Sequence, residues 1–557
     1  MGKGKLAFRM LIIAILLCLI SSVDLSAQQI NDHKNQINLN TTKSDRSKNR
    51  STIDRRSQKL DQTNRSKRSD DLRSKQRSVD LAKVFDPTSS FLTQTANKTD
   101  QETEKRSHLT AKTDQRSSRS IDLAIVGGSI VTMNDRQEVI EDGYIAIKGD
   151  RIVDLGSRID LSKKYLPKKK ILATGKAIIP GLINTHTHVP MVFFRGIADD
   201  LLLQEWLEKY IFPAEAKNVS KDFCYWGTLA GCLEMIKGGV TTYVDMYYFE
   251  DTIAEATAKA GMRGVLGETL IDFPVADNKT PQEALIYTEK FVERWRNHPL
   301  IIPAIAPHAP YTVKPDHLKA VKEFAEKQNI PIVIHLAETQ AEVDDITKRY
   351  GSRPIMHLEK LGLLSDRLIA AHVVWANAEE IALLKQRGVG VAHNPQSNMK
   401  LACGVAPVPE MLKAGVAVGL GTDGAASNND LNLFEEMDTA AKLHKLNSKS
   451  PTVLSAREAL EMATIRGAKA IHLEKEIGSL EVGKRADIVV VNLQTSHHQP
   501  VYNLFSSLVY ATKGSDVETS IINGKVVMQS GKVLTLNEVE INQQTKKYRE
   551  QIINSLK

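Results

Sequence analysis

The sequence predicts a mixed α/β protein in which a parallel (β/α)8 TIM barrel is joined to a small β-sandwich. Three observations predict this architecture. Strand-like and helix-like segments alternate eight times in the centre of the chain, short strands with tight turns flank that centre on both sides, and a polar segment without apolar periodicity precedes them. At 557 residues the chain is long enough for several domains.

Residues 1–27 have the pattern of a secretory signal peptide. Three basic residues precede the apolar stretch Met10–Ile20, which is shorter than the roughly 20 residues that a membrane-spanning helix needs. Ala27 supplies a small residue for cleavage before Gln28. We therefore predict export to the periplasm or the medium, without a membrane span after cleavage. An uncleaved membrane anchor is the alternative.

Residues 28–120 are predicted to be a disordered polar linker. The segment is rich in Ser, Arg, Lys, Asp and Gln, so it cannot bury enough apolar surface to offset the entropy of ordering. It carries 21 Lys and Arg against 12 Asp and Glu, whereas residues 121–557 have a net charge of −3. Because the body of the protein is mildly acidic, the overall charge of +8 does not indicate a nucleic-acid partner.

Two groups of short strands flank the centre of the chain. Residues 121–176 and 477–535 both contain strand-like runs separated by tight turns. We predict that they combine into one small β-sandwich, followed by a C-terminal helix over residues 536–557.

Residues 177–476 are predicted to form the barrel. The eight strand candidates are Ala177–His188, Gly239–Met246, Arg263–Asp272, Leu300–Pro310, Pro331–Thr339, Leu368–Trp375, Gly388–Asn398 and Val416–Ala425. Helical patterns such as Asp251–Ala260 and Pro281–His298 fill the gaps. A doubly wound sheet is the alternative, but no Gly-rich phosphate loop follows the first strand. In a TIM barrel the active site lies at the C-terminal ends of the strands.

Histidines are concentrated at those predicted strand ends. His186 and His188 end the first strand, and their side chains point the same way because alternate residues of a strand share a face. A His-x-His pair also occurs in surface turns, so the other strand ends decide the interpretation. His308 ends strand four, His335 lies on strand five, and Asp423 ends strand eight.

His372 on strand six and His393 on strand seven bring the number of histidines on this rim to six of the 15 in the chain. A core histidine held by one hydrogen bond is the ordinary alternative, and it suits His393 best. Six histidines on one rim indicate a site.

A metal centre follows from these residue types. The imidazoles of His186, His188 and His335 with the carboxylate of Asp423 suit one divalent ion, Zn²⁺ or alternatively Fe²⁺. Such an ion lowers the pKa of its water from about 15.7 toward about 7, which provides hydroxide at neutral pH. The Asp423 carboxylate can accept the proton that this water loses.

Two further residues are predicted to be catalytic. Glu338 lies three residues beyond His335, where it can carry protons to the leaving group. The alternative for Glu338 is to orient a metal ligand. His372 is free to hydrogen-bond the attacking water and the oxyanion that develops.

Several motifs match the pattern of one known superfamily. They are Pro180-Gly181-Leu-Ile-Asn-Thr-His-Thr-His188, Arg195-Gly196, Trp206-Leu207, Pro213-Ala-Glu215, His308-Ala-Pro-Tyr311, His335-Leu-Ala-Glu338-Thr, His393-Asn-Pro-Gln-Ser-Asn398-Met-Lys-Leu and Gly421-Thr-Asp-Gly-Ala-Ala-Ser-Asn428. Over residues 121–535 the chain resembles the amidohydrolase superfamily, specifically its one-metal deaminases. The branch it resembles contains methylthioadenosine/S-adenosylhomocysteine deaminases and triazine hydrolases.

The resemblance implies metal-dependent hydrolytic deamination of an amino-substituted nitrogen heterocycle, such as an adenosine-type nucleoside, a purine or a pterin. It implies that Glu215 holds ribose hydroxyls, and that His308, Glu338 and Asp423 contact the base. Hydrolysis of a cyclic amide or of a triazine C–Cl bond is the alternative within the superfamily, and a non-catalytic scaffold is a remote one. The expected partner is a small molecule, and a homo-oligomeric state is left open.

The chain departs from the family pattern after strand three. The nucleoside deaminases of the family place arginines there to bind an amino-acid carboxylate. Here the segment Leu266–Pro274 contains none, and the next arginine is Arg294. Strand four also lacks the lysine that binuclear relatives carbamylate, which agrees with a single metal ion.

Overall fold

The computed structural model describes residues 119–557. The predicted signal peptide, residues 1–27, and nearly all of the predicted linker, residues 28–120, lie outside the described residues. Within residues 119–557, no helix combines the length and the apolar character needed to cross a lipid bilayer.

Seven strands precede the barrel. They are β1 (Ser120–Val126), β2 (Ser129–Val131), β3 (Val139–Ile140), β4 (Gly143–Lys148), β5 (Arg151–Ser157), β6 (Leu166–Leu172) and β7 (Lys176–Pro180). Four of them form a sheet in the order β5-β4-β1-β6. In this sheet β1 runs antiparallel to β4 and parallel to β6.

Eight strands then form the barrel. They are β8 (Leu182–Thr187), β9 (Val240–Tyr247), β10 (Arg263–Leu270), β11 (Ile301–Pro307), β12 (Ile332–Leu336), β13 (Leu368–His372), β14 (Gly390–His393) and β15 (Ala417–Leu420). Each pairs in parallel with the next along the chain. The TIM barrel predicted from the alternating pattern is therefore confirmed.

Hydrogen bonds bring the first and last barrel strands together. The Asn184 side chain donates from Nδ2 to Thr422 Oγ1 at 2.7 Å and accepts the Thr422 backbone N–H at 3.0 Å. The Asp423 backbone N–H donates to the His186 carbonyl at 2.9 Å. The end of β8 is thereby fixed beside the segment that follows β15.

The strands after the barrel join those before it. They are β16 (Ile488–Asn492), β17 (Val517–Ile522), β18 (Lys525–Gln529) and β19 (Lys532–Val533). A seven-stranded sheet in the order β19-β18-β17-β16-β7-β2-β3 contains strands from both ends of the described chain. This sheet and the four-stranded sheet share an apolar core that includes Ile125, Ile145, Ile178 and Val490.

Helices connect the barrel strands, and one long helix ends the chain. Those of ten or more residues are Lys221–Lys237, Glu250–Ala260, Pro281–Trp295, Pro315–Gln328, Gln340–Tyr350, Ala378–Arg387, Leu433–Asn447 and Glu538–Leu556. The shorter ones are Arg158–Lys164, Leu203–Trp206, Phe212–Asn218, Pro354–Lys360, Pro395–Lys400, Val408–Ala414, Ala456–Met462, Ile465–Ala470 and Leu504–Ser506. Turns of 3₁₀ helix span Val189–Phe194 and Gly514–Asp516, and π-helical turns span Leu207–Ile211 and Ser507–Ala511.

Three predicted strands differ clearly from the structure, and one of them, Val416–Ala425, already ends at Leu420. The run Ala177–His188 is divided at Gly181 into β7, which joins the seven-stranded sheet, and β8 of the barrel. Only glycine fits at this crossing, because an added Cβ would lie 2.1 Å from Thr241 Oγ1. The predicted strand Gly388–Asn398 ends at His393, since Pro395 begins a short helix and proline suits the first helical turn.

Candidate active site

The four side chains predicted to hold a metal meet at the C-terminal end of the barrel. His188 Nε2 lies 3.2 Å from both Asp423 Oδ1 and His335 Nε2. His186 Nε2 lies 3.6 Å from Asp423 Oδ1. Four atoms bound tetrahedrally to one zinc ion at about 2.0–2.1 Å are separated from each other by about 3.3 Å. The observed spacing therefore fits a single divalent ion.

The outer ring nitrogens explain why a cation suits this position. His188 Nδ1 donates to the Met246 carbonyl at 2.6 Å, and His335 Nδ1 donates to the His308 carbonyl at 2.8 Å. With the proton on Nδ1, each neutral ring has its lone pair on Nε2, and the Nε2 lone pairs of His188 and His335 face each other. Within residues 119–557, the buried ring of His186 has no hydrogen-bond partner on either nitrogen. A bound cation would satisfy all three rings.

Asp423 is held in a defined orientation. Its Oδ2 accepts hydrogen bonds from Ser397 Oγ at 2.7 Å and Ser427 Oγ at 3.0 Å, and its Oδ1 accepts the Gly424 N–H at 2.7 Å. The backbone of Asp423 is left-handed, with φ of 63°, which non-glycine residues rarely adopt. These contacts turn Oδ1 toward the histidines.

His372 adjoins the metal position. Its ring centroid lies 5.5 Å from those of His186 and His335, and all three rings offer nitrogens within 4.8 Å of one another. His372 Nδ1 donates to Asn398 Oδ1 at 2.9 Å, which leaves Nε2 available. Its backbone φ is 73°, so the residue is held in a strained conformation.

Glu338 lies beside His372 in a buried position. Its Oε1 is 3.8 Å from His372 Nδ1 and 3.6 Å from Cys403 Sγ. The Glu342 carboxylate accepts the backbone N–H groups of Ala337 at 2.9 Å and of Glu338 at 2.8 Å, which fixes the turn that carries Glu338. Burial raises the pKa of Glu338 and so favours the protonated carboxyl group.

One cavity collects the remaining predicted residues. It contains about 590 Å³ of unfilled space, including its open mouth. Its polar lining consists of His188, Glu215, His308, His335, Glu338, His372 and Asp423. Its apolar lining includes Leu203, Trp206, Leu207, Ile211 and Phe212.

Glu215 and His308 have opposite responses to burial. Burial raises the pKa of the Glu215 carboxyl to about 7, and the neighbouring Tyr247 and Tyr248 partly oppose that shift. Burial, with a smaller contribution from the neighbouring His188, lowers the pKa of His308 to about 3, so its ring is neutral. His308 Nδ1 is also 3.0 Å from Thr312 Oγ1.

His393 does not line the cavity. Its Nε2 lies 3.1 Å from His444 Nε2, and both rings are buried. The six-histidine rim predicted from the sequence therefore has five members at the site and one in the packing behind it. The structure thus supports the core alternative for His393.

Four residues that orient the predicted site residues had no predicted role. They are Ser397 and Ser427, which hold Asp423, Asn398, which holds His372, and Glu342, which fixes the turn that carries Glu338. The available signal was polarity: Ser397 and Asn398 lie at the end of the predicted strand Gly388–Asn398, where apolar residues would be expected. That signal identifies buried polar residues without indicating which groups they contact.

The known proteins that match this chain include deaminases of adenine nucleosides. The model of the Amidohydrolase family matches residues 177–527. The 5-methylthioadenosine/S-adenosylhomocysteine deaminase of Syntrophobacter fumaroxidans is 47% identical over 420 residues, which are 75% of this chain and 96% of the relative. The 5′-deoxyadenosine deaminase of Methanosarcina barkeri is 43% identical over 434 residues, which are 78% of this chain and 98% of the relative.

A solved structure gives the same indication. The adenosine deaminase of Xanthomonas campestris with bound zinc superposes with a TM-score of 0.77 at 37% sequence identity. The match covers 78% of this chain and 99% of that protein. Its zinc agrees with the spacing of the four converging side chains described above.

Proposed function

This chain belongs to the amidohydrolase family, and we propose that the cavity at its barrel mouth is where it removes the exocyclic amino group of an adenine nucleoside. The chain is a hydrolytic deaminase that acts on an adenosine-type substrate and releases ammonia. The observation that carries the proposed site is the convergence of His188, His335 and Asp423 beside a cavity lined by Glu338.

A divalent metal ion belongs to the proposed site, as the family is metal-dependent. His186, His188, His335 and Asp423 would hold it, with Zn²⁺ as the first choice and Fe²⁺ as the second. When bound, it would lower the pKa of a water molecule enough to provide hydroxide at neutral pH.

The side chains around this position divide the proton transfers. Asp423 accepts the proton of the attacking water. Glu338, whose pKa burial raises, donates a proton to the ring nitrogen next to the attacked carbon. The Glu338 carboxylate then accepts the proton that the added hydroxyl loses as it becomes a carbonyl, and it passes this proton to the departing amine as the C–N bond breaks. His372 hydrogen-bonds the attacking oxygen as negative charge develops on it.

Two further side chains position the nucleoside. The Glu215 carboxylate, buried in the cavity wall, is suited to accept hydrogen bonds from the ribose hydroxyls. The neutral ring of His308 lies close to His335, with ring centroids 4.8 Å apart, and so faces the base rather than the solvent. Both roles agree with those implied by the motifs of the family.

The proposal is tested by metal analysis combined with an ammonia-release assay on adenine nucleosides, purines and pterins. We expect about one tightly held divalent ion per chain and release from the adenine nucleosides. His335→Ala should remove both metal and activity. The matched control His298→Ala, which changes a histidine ahead of β11 at the opposite end of the barrel, should keep both.

Other outcomes would overturn parts of this proposal. Two equivalents of metal would contradict a mononuclear centre. Hydrolysis of cyclic amides, or chloride release from triazines, without ammonia release from any nucleoside would favour the alternative reaction. Loss of metal from His298→Ala would show that the effect of His335→Ala is not specific to the site.

We also propose export, on the pattern of residues 1–27 alone. Protein recovered from the periplasm or medium should begin near Gln28. An intact Met1 terminus on membrane-bound protein would favour the uncleaved anchor.

A further inference from the structure

The charges in the cavity wall bear on which nucleosides can enter. Among residues 119–557, the lining side chains include the carboxyl groups of Glu215, Glu338 and Asp423 but neither lysine nor arginine. A single divalent ion would balance the negative charges of the Glu215 and Asp423 carboxylates. Nothing in the described wall is then left to pair with an anionic group of a substrate.

Basic side chains next to lining residues are already paired. Arg349 reaches the carbonyl of Tyr311, a lining residue, at 3.4 Å, and Lys209 lies between the lining residues Leu207 and Ile211. The pairs are Arg349 with Asp345 and Lys209 with Glu205. Each partner neutralises the cation that a substrate carboxylate would need.

The loop after β10 forms an aromatic rim rather than a cationic one. The Phe273 ring centroid lies 5.4 Å from that of Phe212, which lines the cavity and lies 6.3 Å from His308. The residue before it, Asp272, is acidic rather than basic. Together with Leu207, these rings offer an apolar surface.

The names of the relatives indicate two kinds of 5′ substituent that this wall could face. One group includes S-adenosylhomocysteine, whose 5′ substituent ends in a carboxylate and an ammonium group, and the other is named for 5′-deoxyadenosine. A carboxylate that is desolvated without a partner is strongly unfavourable, whereas a methyl or thioether group gains from apolar burial.

We propose that this site accepts adenine nucleosides with a short uncharged 5′ substituent and excludes those whose 5′ substituent carries a carboxylate. The residues that impose this selection are the Phe212–Phe273 pair and the adjacent Asp272. The inference rests on the proposed function and deepens it by naming the substrate class of the same cavity.

The first test measures kcat/KM of the metal-loaded full chain on four nucleosides. They are 5′-deoxyadenosine, 5′-methylthioadenosine, 5′-n-butylthioadenosine and S-adenosylhomocysteine. The butyl compound has a 5′ chain of similar length without charge. We expect S-adenosylhomocysteine to be at least about 100-fold poorer than the butyl compound, because its carboxylate finds no cation.

Each other outcome has a distinct meaning. Equal kcat/KM for these two long substrates would overturn the inference while leaving the deaminase proposal intact. Equally poor turnover of both would overturn it too, because length and not charge would be excluded. Failure to deaminate any of the four would instead overturn the proposed function.

The second test places a cation at the rim. Phe273→Arg should raise the ratio of kcat/KM for S-adenosylhomocysteine over 5′-deoxyadenosine by about 10-fold or more, because it supplies the missing partner. The matched variant Phe273→Leu removes the ring without adding charge and should not raise that ratio. An equal rise of this ratio in both variants would show a steric effect. No rise of the ratio in either variant would show that Phe273 does not contribute to the selection.

Discussion

At the residue scale, two buried carboxyl groups are prepared for different tasks by their neighbours. Glu338 lies against His372 and Cys403, and its raised pKa favours the protonated group that a proton donor needs. Glu215 lies against Tyr247 and Tyr248, with a pKa of about 7, so it is largely ionised in mildly alkaline solution. A carboxyl group whose surroundings shift its pKa is commonly the acid or the base of a catalysed reaction.

Glu338→Gln should retain the metal but lose about 10²–10⁴-fold in turnover, because a glutamine keeps the shape and a hydrogen bond but cannot shuttle a proton. Metal content and steady-state turnover of the purified variant check this. If Glu338 only oriented His335, metal affinity would instead fall by roughly 10–100-fold. Turnover that returns when metal is added in excess would therefore contradict the proton-shuttle role.

Glu215→Gln should lower kcat/KM for adenosine by about 10-fold or more, since a hydrogen bond to a charged group contributes about 1.5–3 kcal/mol. The same variant should show little further loss on 2′,3′-dideoxyadenosine, which lacks the hydroxyls. An equal loss on both substrates would contradict a role in holding the ribose.

The pH dependence of KM gives an independent check on Glu215. Because its pKa is raised to about 7, protonation removes the accepting carboxylate as the pH falls through that value. The KM of the wild type should therefore rise below about pH 7, and Glu215→Gln should lack this rise. A wild-type KM that stays constant from pH 8 to pH 6 would contradict the assignment.

At the element scale, one buried ion pair joins the barrel to the seven-stranded sheet. Arg263 at the start of β10 donates from Nη2 to Asp487 Oδ2 at 3.1 Å, just ahead of β16, and both side chains are buried. Asp487 Oδ1 also accepts the Asn523 backbone N–H at 2.6 Å, and Arg263 Nη1 donates to the Pro299 carbonyl at 3.0 Å. The pair therefore fixes the two elements at their contact.

Asp487→Asn should lower the free energy of unfolding by about 3–5 kcal/mol, because it leaves the guanidinium of Arg263 buried without a counter-charge. The control Asp316→Asn alters an exposed pair with Lys319 and should cost less than about 1 kcal/mol. Urea unfolding of both variants measures the difference. Equally small effects would show that the buried pair contributes no more than a surface pair.

At the scale of the whole molecule, residues 119–557 contain the barrel, both sheets and the candidate site. Three quarters of this chain covers 96% of the Syntrophobacter fumaroxidans deaminase. Arg119 belongs to the folded part, since its guanidinium donates to the carbonyls of Ser162, Lys163 and Lys164. This chain is therefore longer than that relative.

A chain that begins at Ser118 should keep full turnover and its metal, since every described contact of the barrel and sheets is retained. Limited proteolysis of the full chain should cut within residues 28–118 first and leave the activity intact. A truncated chain that is soluble and metal-loaded but inactive would show that the N-terminal segment is part of the working structure.

Much of the fold followed from local pattern. Apolar runs of strand length alternating with helical periods predicted the barrel, because burial on both faces of a parallel strand is visible in the residues themselves. The positions of His186, His188 and Asp423 at strand ends could be predicted for the same reason. The division of the first strand at Gly181 could not, since it depends on the approach of Thr241 from another strand.

The sequence by itself determined the fold class, the family and which residue types stand at the ends of the barrel strands. Only the tertiary structure decided that the Nε2 atoms of His188 and His335, 147 residues apart, lie 3.2 Å from each other with lone pairs facing. It also decided that Ser397 holds Asp423 and that Phe273 rather than a cation meets Phe212 at the cavity rim. These properties arise from contacts between distant segments, and no local pattern of residues encodes the distance or the tautomer that such a contact produces.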